Sequence, residues 1–165
     1  MRVFGIDPGS TVTGWGVVQV QGSRMHFIDA GFVRTSPRRP IPERLMKIHD
    51  ELQHALHAHP VDSVAIEAIF RHKSSESALR LGQARGVALL AAMQAGHVPF
   101  EYNAMTVKAA VGAHGRADKA AVGRMVKMLL GTVPEGPEDQ VDALAIAITH
   151  CMNARAHRMT GASAR

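Results

Sequence analysis

One cysteine, Cys151, stands in 165 residues, so no disulfide can form within the chain and a reducing, cytosolic compartment is expected. Long apolar runs are also missing. The longest, at 87–93 and 143–148, fall far short of the roughly 20 residues that cross a bilayer, which excludes a membrane-spanning helix. At the amino terminus Asp7 falls where a secretory leader needs its apolar segment, so no leader is expected. No Walker A loop, HExxH or zinc-spaced cysteine set occurs, and Gly14-Trp15-Gly16 lacks the third glycine of a dinucleotide fingerprint. Internal repeats and low-complexity blocks are absent too. Acidic residues are the scarcer charge, 14 Asp and Glu against 19 Lys and Arg, a net charge of +5.

What is present fits one domain, since length over about 150 residues is the usual domain prior. A chain of this size buries on the order of 70% of its unfolded surface and needs no disulfide or structural metal. The expected unit is 1–157, followed by a disordered basic tail over 158–165. The basic residues gather at 34–39, 71–73 and 116–127, stretches able to track phosphates. A polyanionic partner is one reading of that excess, and simple solubility is the other.

Arg2 to Asp7 reads as a short buried strand stopped by Pro8-Gly9-Ser10. Strands over 13–20 and 25–33 follow, joined by a hairpin at Gly22-Ser23. Leu45, Ile48, Leu52 and Leu56 then recur at helical spacing within 42–59. A strand over 61–67 ends in Glu67, a long small-residue helix covers 75–95, and Gly96 closes it. A strand at 98–102, a short helix, a helix over 118–130 and a last helix from Pro137 to about His157 complete the chain. A hairpin meander followed by alternating helices and strands predicts an α/β fold, a mixed five-stranded sheet flanked by helices.

Four carboxylates occupy telling places. Asp7 and Glu67 each end an apolar strand, and Asp139 and Asp142 lie three apart in the first turns of the last helix, on one face. Ligands of such sheets gather beyond the carboxyl ends of strands. If the two strands are neighbours, the four acids converge into an oxygen-rich site for hard divalent cations such as Mg²⁺ or Mn²⁺, suited to in-line displacement at a phosphodiester. Taken singly, Asp139 and Asp142 also suit the positive end of a helix, Asp7 a turn before Pro8-Gly9, and Glu67 an exposed strand end.

Phe4-Gly5-Ile6-Asp7-Pro8-Gly9-Ser10 with Thr13-Gly14-Trp15-Gly16, then Ala65-Ile66-Glu67 and Phe70, then Ala117-Asp118-Lys119, and finally Asp139-Gln140-Val141-Asp142-Ala143-Leu144-Ala145-Ile146-Ala147 with Thr149-His150-Cys151, follow one another in this order. In that order they resemble the bacterial RuvC Holliday junction resolvases. The last helix is the most specific piece, because actin-like ATPases and sugar kinases also open on an Asp-x-Gly motif. The resemblance implies a ribonuclease H-like fold and a homodimer that nicks two symmetric strands of a four-way DNA junction. Divalent metal is implied as well, Mg²⁺ or Mn²⁺, two per active site. It also implies a RuvA-RuvB branch-migration complex as partner. Residue by residue, Asp7, Glu67, Asp139 and Asp142 fall on the family's catalytic, metal-binding acids. Lys108 and Lys119 fall on its two basic residues near the cleaved phosphate, and Phe70 on the aromatic that stacks on bases near the crossover. Arg71, Lys73 and Arg116 join Phe70, Lys108 and Lys119 as expected DNA contacts. Around Phe70 the neighbours Ala68-Ile69 and Arg71-His72-Lys73 leave base preference open.

The residues support these roles separately. A lysine balances charge developing on a transferring phosphoryl group, although solvated helix lysines are common. Phe70 among Arg71, His72 and Lys73 suits a base-stacking wedge, or packing beneath a loop. Gly82 and Gly86, near Ala78, Ala84 and Ala88, allow close approach either to the sheet or to a second copy. His49, His54, His57 and His59 read as a polar helix face, and His150 and Cys151 as packing residues. Rival functions are a ribonuclease acting on RNA:DNA hybrids, an actin-like ATPase, which needs two such domains, and a non-catalytic module for branched DNA. An anionic pocket without metal would weaken the last of these.

Overall fold

The central strand β1 (Arg2–Asp7) runs antiparallel to β2 (Val12–Gln21), which pairs antiparallel with β3 (Arg24–Arg34). On its other side β1 runs parallel to β4 (Ser63–Glu67), and β4 runs parallel to β5 (Phe100–Tyr102), so the sheet order is β3-β2-β1-β4-β5. Helices α1 (Ile41–Ala58), α2 (Ser75–Gln94), α3 (Ala104–Ala110), α4 (Lys119–Leu130) and α5 (Glu138–Thr160) complete the chain. The computed structural model describes residues 1–68, 75–112 and 119–160, with side chains to 154.

Period-two alternation along β1 separates two cores. Phe4 and Ile6 meet Val64, Ile66, Ile48, Leu52 and the alanines of α2 on one face. Val3 meets Val18, Ala65, Val107, Val126 and the apolar run of α5 on the other. Each fully buried Val, Leu, Ile or Phe contributes about 1.5–3 kcal/mol of transfer free energy, so both faces are needed to hold the sheet. The predicted α/β class and five-stranded mixed sheet match this architecture.

Boundaries differ in small ways. β5 begins at Phe100 rather than 98, because Pro99 has no N–H to place in the ladder. β4 begins at Ser63 rather than 61. Gly96 takes φ 87° after α2, and His97 N–H donates to the Ala92 carbonyl at 3.0 Å, the six-to-one bond of a Schellman cap. Helix α5 continues to Thr160, past the expected end near His157, and residues 161–165 of the expected tail lie outside the described residues.

Three glycines decide where α5 lies. A Cβ on Gly5 would collide with the Ala143 carbonyl, and one on Gly14 with the Asp139 carbonyl. On Gly16 it would come within 2.7 Å of the Leu144 side chain. Gly5 pairs with Gly16 across β1 and β2, so the sheet carries a trough without side chains, and the backbone of α5 lies in it.

Candidate active site

Ile6 pairs with Ile66, which sets Asp7 and Glu67 at one height at the carboxyl ends of adjacent parallel strands. Because Ile6 and Ile66 turn toward α1 and α2, alternation turns Asp7 and Glu67 toward α5. The glycine trough brings the first turns of α5, with Asp139 and Asp142, over those strand ends. Asp7, Glu67, Asp142, Lys108 and Lys119 then line one cavity of about 360 Å³, with Val107, Val122 and Ile146 in its wall. Asp139 is not in the lining, yet its charge reaches Asp7.

The electrostatics are those of crowded acids. Burial, first, and then the charges of Glu67, Asp142 and Asp139 hold the Asp7 carboxyl well above its usual range. Burial also raises Asp142, against the opposing pull of Lys119. The Lys119 ammonium lies 3.2 Å from Asp142 Oδ2 and 3.8 Å from Glu138 Oε2, and Asp142 above all raises its pKa. Lys108 comes from α3, where Asn103 caps the helix by accepting from the Thr106 N–H at 2.8 Å.

The donor set is hard oxygen throughout, which fits Mg²⁺ or Mn²⁺ and not a soft metal. Among the described residues no three His, Cys, Asp or Glu groups stand together so that they could hold a metal ion. The Asp7 and Glu67 carboxyls share a hydrogen bond, and a cation among these acids would relieve the repulsion between their charges.

Two participants escaped the sequence reading. Glu138 shares Lys119 with Asp142, and Arg85 of α2 donates from Nε to the Glu67 carbonyl at 3.2 Å while pairing with Glu101 of β5. Glu138 stood beside Asp139 in the sequence, whereas nothing local marks Arg85, whose partners lie 16 and 18 positions away. Phe70, Arg71, Lys73 and Arg116 lie outside the described residues.

Elsewhere the expectations divide. His150 and Cys151 are buried as packing residues, with the His150 ring 2.9 Å from the Tyr102 hydroxyl and burial favouring its neutral form. His54 and His57 are exposed, and His49 binds Asp50 and Gln94. Gly82 and Gly86 are exposed with open space above them, so they do not pack on the sheet; Ala84 and Ala88 face the core instead.

The family profile described as crossover junction endodeoxyribonuclease RuvC matches residues 3–150. The chain belongs to the RuvC family. A crossover junction endodeoxyribonuclease RuvC from Citrifermentans bemidjiense is 45% identical over 154 residues, 93% of this chain and 94% of that protein. Its counterpart from Chloroflexus aggregans is 44% identical over 165 residues, covering 99% of this chain and 100% of its own. Among solved structures, T. thermophilus RuvC in complex with Holliday junction substrate superposes with TM-score 0.88 at 40% identity, covering 94% of this chain and 96% of that one. The yeast mitochondrial Holliday junction resolvase Ydc2, with TM-score 0.58 and 16% identity over 89% of this chain and 76% of its own, shares the fold. The sheet and helices are therefore ribonuclease H-like, as expected. Membership makes the chain an endodeoxyribonuclease of a metal-dependent RuvC family and sets aside the hybrid-cutting ribonuclease, the ATPase and the non-catalytic module.

Proposed function

We propose that this RuvC enzyme resolves four-way DNA junctions by cutting one phosphodiester in each of two opposed strands, with Asp7, Glu67, Asp139 and Asp142 as its metal-binding catalytic acids. The carrying observation is the single cavity at the ends of β1 and β4 that collects Asp7, Glu67, Asp142, Lys108 and Lys119 from five elements. Two hard divalent cations, Mg²⁺ or Mn²⁺, bound by these carboxylates supply charge neutralisation and Lewis acidity for in-line displacement at phosphorus. Lys119, oriented by Asp142 and Glu138, and Lys108 in the same cavity hold the scissile phosphate in line and balance its growing negative charge. Val107, Val122 and Ile146 shield one side of the cavity from water, which strengthens each of those interactions. In this reading Phe70 stacks on bases near the crossover, and Arg71, Lys73 and Arg116 hold flanking phosphates.

Two opposed cuts need two sites, and a twofold homodimer supplies them. Its support is the outward face of α2, where Leu79, Leu90 and Met93 are 64%, 51% and 52% exposed at helical spacing around Gly82 and Gly86. Glycines there let two backbones approach closely, and the apolar side chains give the contact its driving force. The working unit is a single nuclease domain over 1–157 with a basic tail, acting in the cytoplasm behind a RuvA-RuvB branch-migration complex. No helix among the described residues is long and apolar enough to cross a membrane.

A synthetic mobile four-way junction labelled on each strand, incubated with Mg²⁺, Mn²⁺ or chelator beside linear duplex and RNA:DNA hybrid, tests this. Paired, symmetric, ligatable nicks confined to the junction and lost with chelator are expected. Comparable cutting of the hybrid, or binding without any cutting, would overturn it.

A further inference from the structure

A second cavity, of about 790 Å³, opens where the end of β3 meets the start of α1. Arg34, Arg39, Arg44 and Lys47 line it against one carboxylate, Glu43. Glu43 is engaged by Arg39 at 3.5 Å, which leaves three cations without an acidic partner among the described residues. Arg44 is the telling one. It is only 4% exposed, yet its guanidinium is held by neutral oxygens alone, with Nε donating to Thr35 Oγ1 at 3.3 Å and Nη2 to the Ser10 carbonyl. A buried guanidinium lacking a counter-charge is unfavourable unless an anion completes it. Three donors of its five-donor fork are then free for an oxyanion.

The cavity is built, and it is tied to the active site. Thr35 Oγ1 donates to the Ser10 carbonyl at 2.7 Å and Thr35 N–H to the Thr11 carbonyl at 2.8 Å, which fixes the 8–11 loop that leaves Asp7. Arg34 pairs with Val12, and Asp7 with Gly14, so both cavities open at the same end of the sheet. Two strand spacings across and two residues along put their backbones on the order of 12 Å apart. Successive phosphates of one strand stand roughly 6–7 Å apart in space, about twice the axial rise of 3.4 Å, so that separation spans roughly two nucleotide steps.

We propose that this cavity binds a DNA backbone phosphodiester two to four nucleotides from the one being cut, with Arg44 as its buried ligand and Arg34 and Lys47 closing over it from solvent. The proposal rests on the junction-cleaving reading and adds to it a second anchor that sets the angle at which the strand enters the carboxylate site. Two fixed phosphates define a direction, whereas one defines only a point.

Arg34 and Lys47 are exposed, so the double variant Arg34→Gln/Lys47→Gln should keep its melting temperature, and Arg24→Gln at the opposite end of the sheet shows what one positive charge lost away from the cavity does. Junction affinity is measured against salt, in Ca²⁺ to prevent cutting, on junctions carrying one uncharged methylphosphonate at successive positions. The double variant should bind about tenfold more weakly, with the slope of log K against log salt reduced by about 1 to 2, while Arg24→Gln stays near wild type. One methylphosphonate two to four nucleotides from the cut should weaken wild type more than the double variant, which keeps Arg44 but has lost the two cations that close over the phosphate. An unchanged salt slope, or a methylphosphonate profile identical in the two proteins, would overturn the second anchor while wild-type nicking left the junction reading standing. A wild type that neither bound nor cut the junction would overturn both.

Discussion

Asp7 is a carboxylate that the fold makes reluctant to ionise. Folding binds its proton more tightly than the unfolded chain does, because burial and three neighbouring acids oppose the charge. Its stabilising contribution is therefore complete below the ordinary value of 3.8 and is lost as pH rises through the raised value. Asp7→Asn should melt higher than wild type in metal-free buffer at pH 7, by about 2–4 °C for each kcal/mol of relieved repulsion, with the gain vanishing below about pH 4. The same variant should lose about 10³-fold or more in junction nicking, while its affinity in a binding assay is kept or tightened, because one negative charge facing the phosphates is gone. Lys119 acts on the other sign of charge. Lys119→Ala should lower single-turnover cleavage by about 10²-fold with junction affinity changed less than about threefold; a large affinity loss at constant rate would instead mark it as a phosphate tether.

At the scale of elements, the site depends on how close α5 comes to the sheet. Gly5, Gly14 and Gly16 remove the side chains that would hold the helix off, and Ala143 and Ala147 keep the facing side of α5 small. Gly5→Ala should lower the melting temperature by roughly 3–10 °C, the effect of about 1–3 kcal/mol of overpacking. It should also reduce cleavage at least tenfold, since a misplacement near 1 Å at a reacting centre costs about 10²-fold. Thermal melts and nicking rates together check this, because a helix that tolerated the methyl group would change neither. The element order itself was legible in the chain. Strand periodicity at 2–7, turn residues at 8–10 and 22–23, and the Leu45 to Leu56 spacing are local signals, and local signals report local structure. Arg85 and Glu138 were not legible as parts of the site, because their meaning comes from partners brought near by chain reversal.

For the whole molecule, the decisive surface is the outer face of α2. Exposed Leu79, Leu90 and Met93 beside two bare glycines form a stripe that a monomer would leave in water. In the proposed homodimer, Leu79→Glu/Leu90→Glu should lower the mass seen by light scattering from two chains to one. Paired nicks in one junction should then become independent single nicks, because symmetry no longer presents the second site. An unchanged mass for this variant would remove α2 as the interface.

The chain on its own determined the α/β class and the strand and helix order, and it marked four acids as candidates, because burial periodicity, turn chemistry and motif order are written in neighbouring residues. Only the tertiary structure decided that Asp7, Glu67 and Asp142 share a cavity with Lys108 and Lys119, that Gly82 and Gly86 look outward, and that Arg44 is buried without a carboxylate. Each of these depends on packing between segments tens of residues apart, and such distances are set by how a glycine trough, a helix and two strand ends fit together in three dimensions.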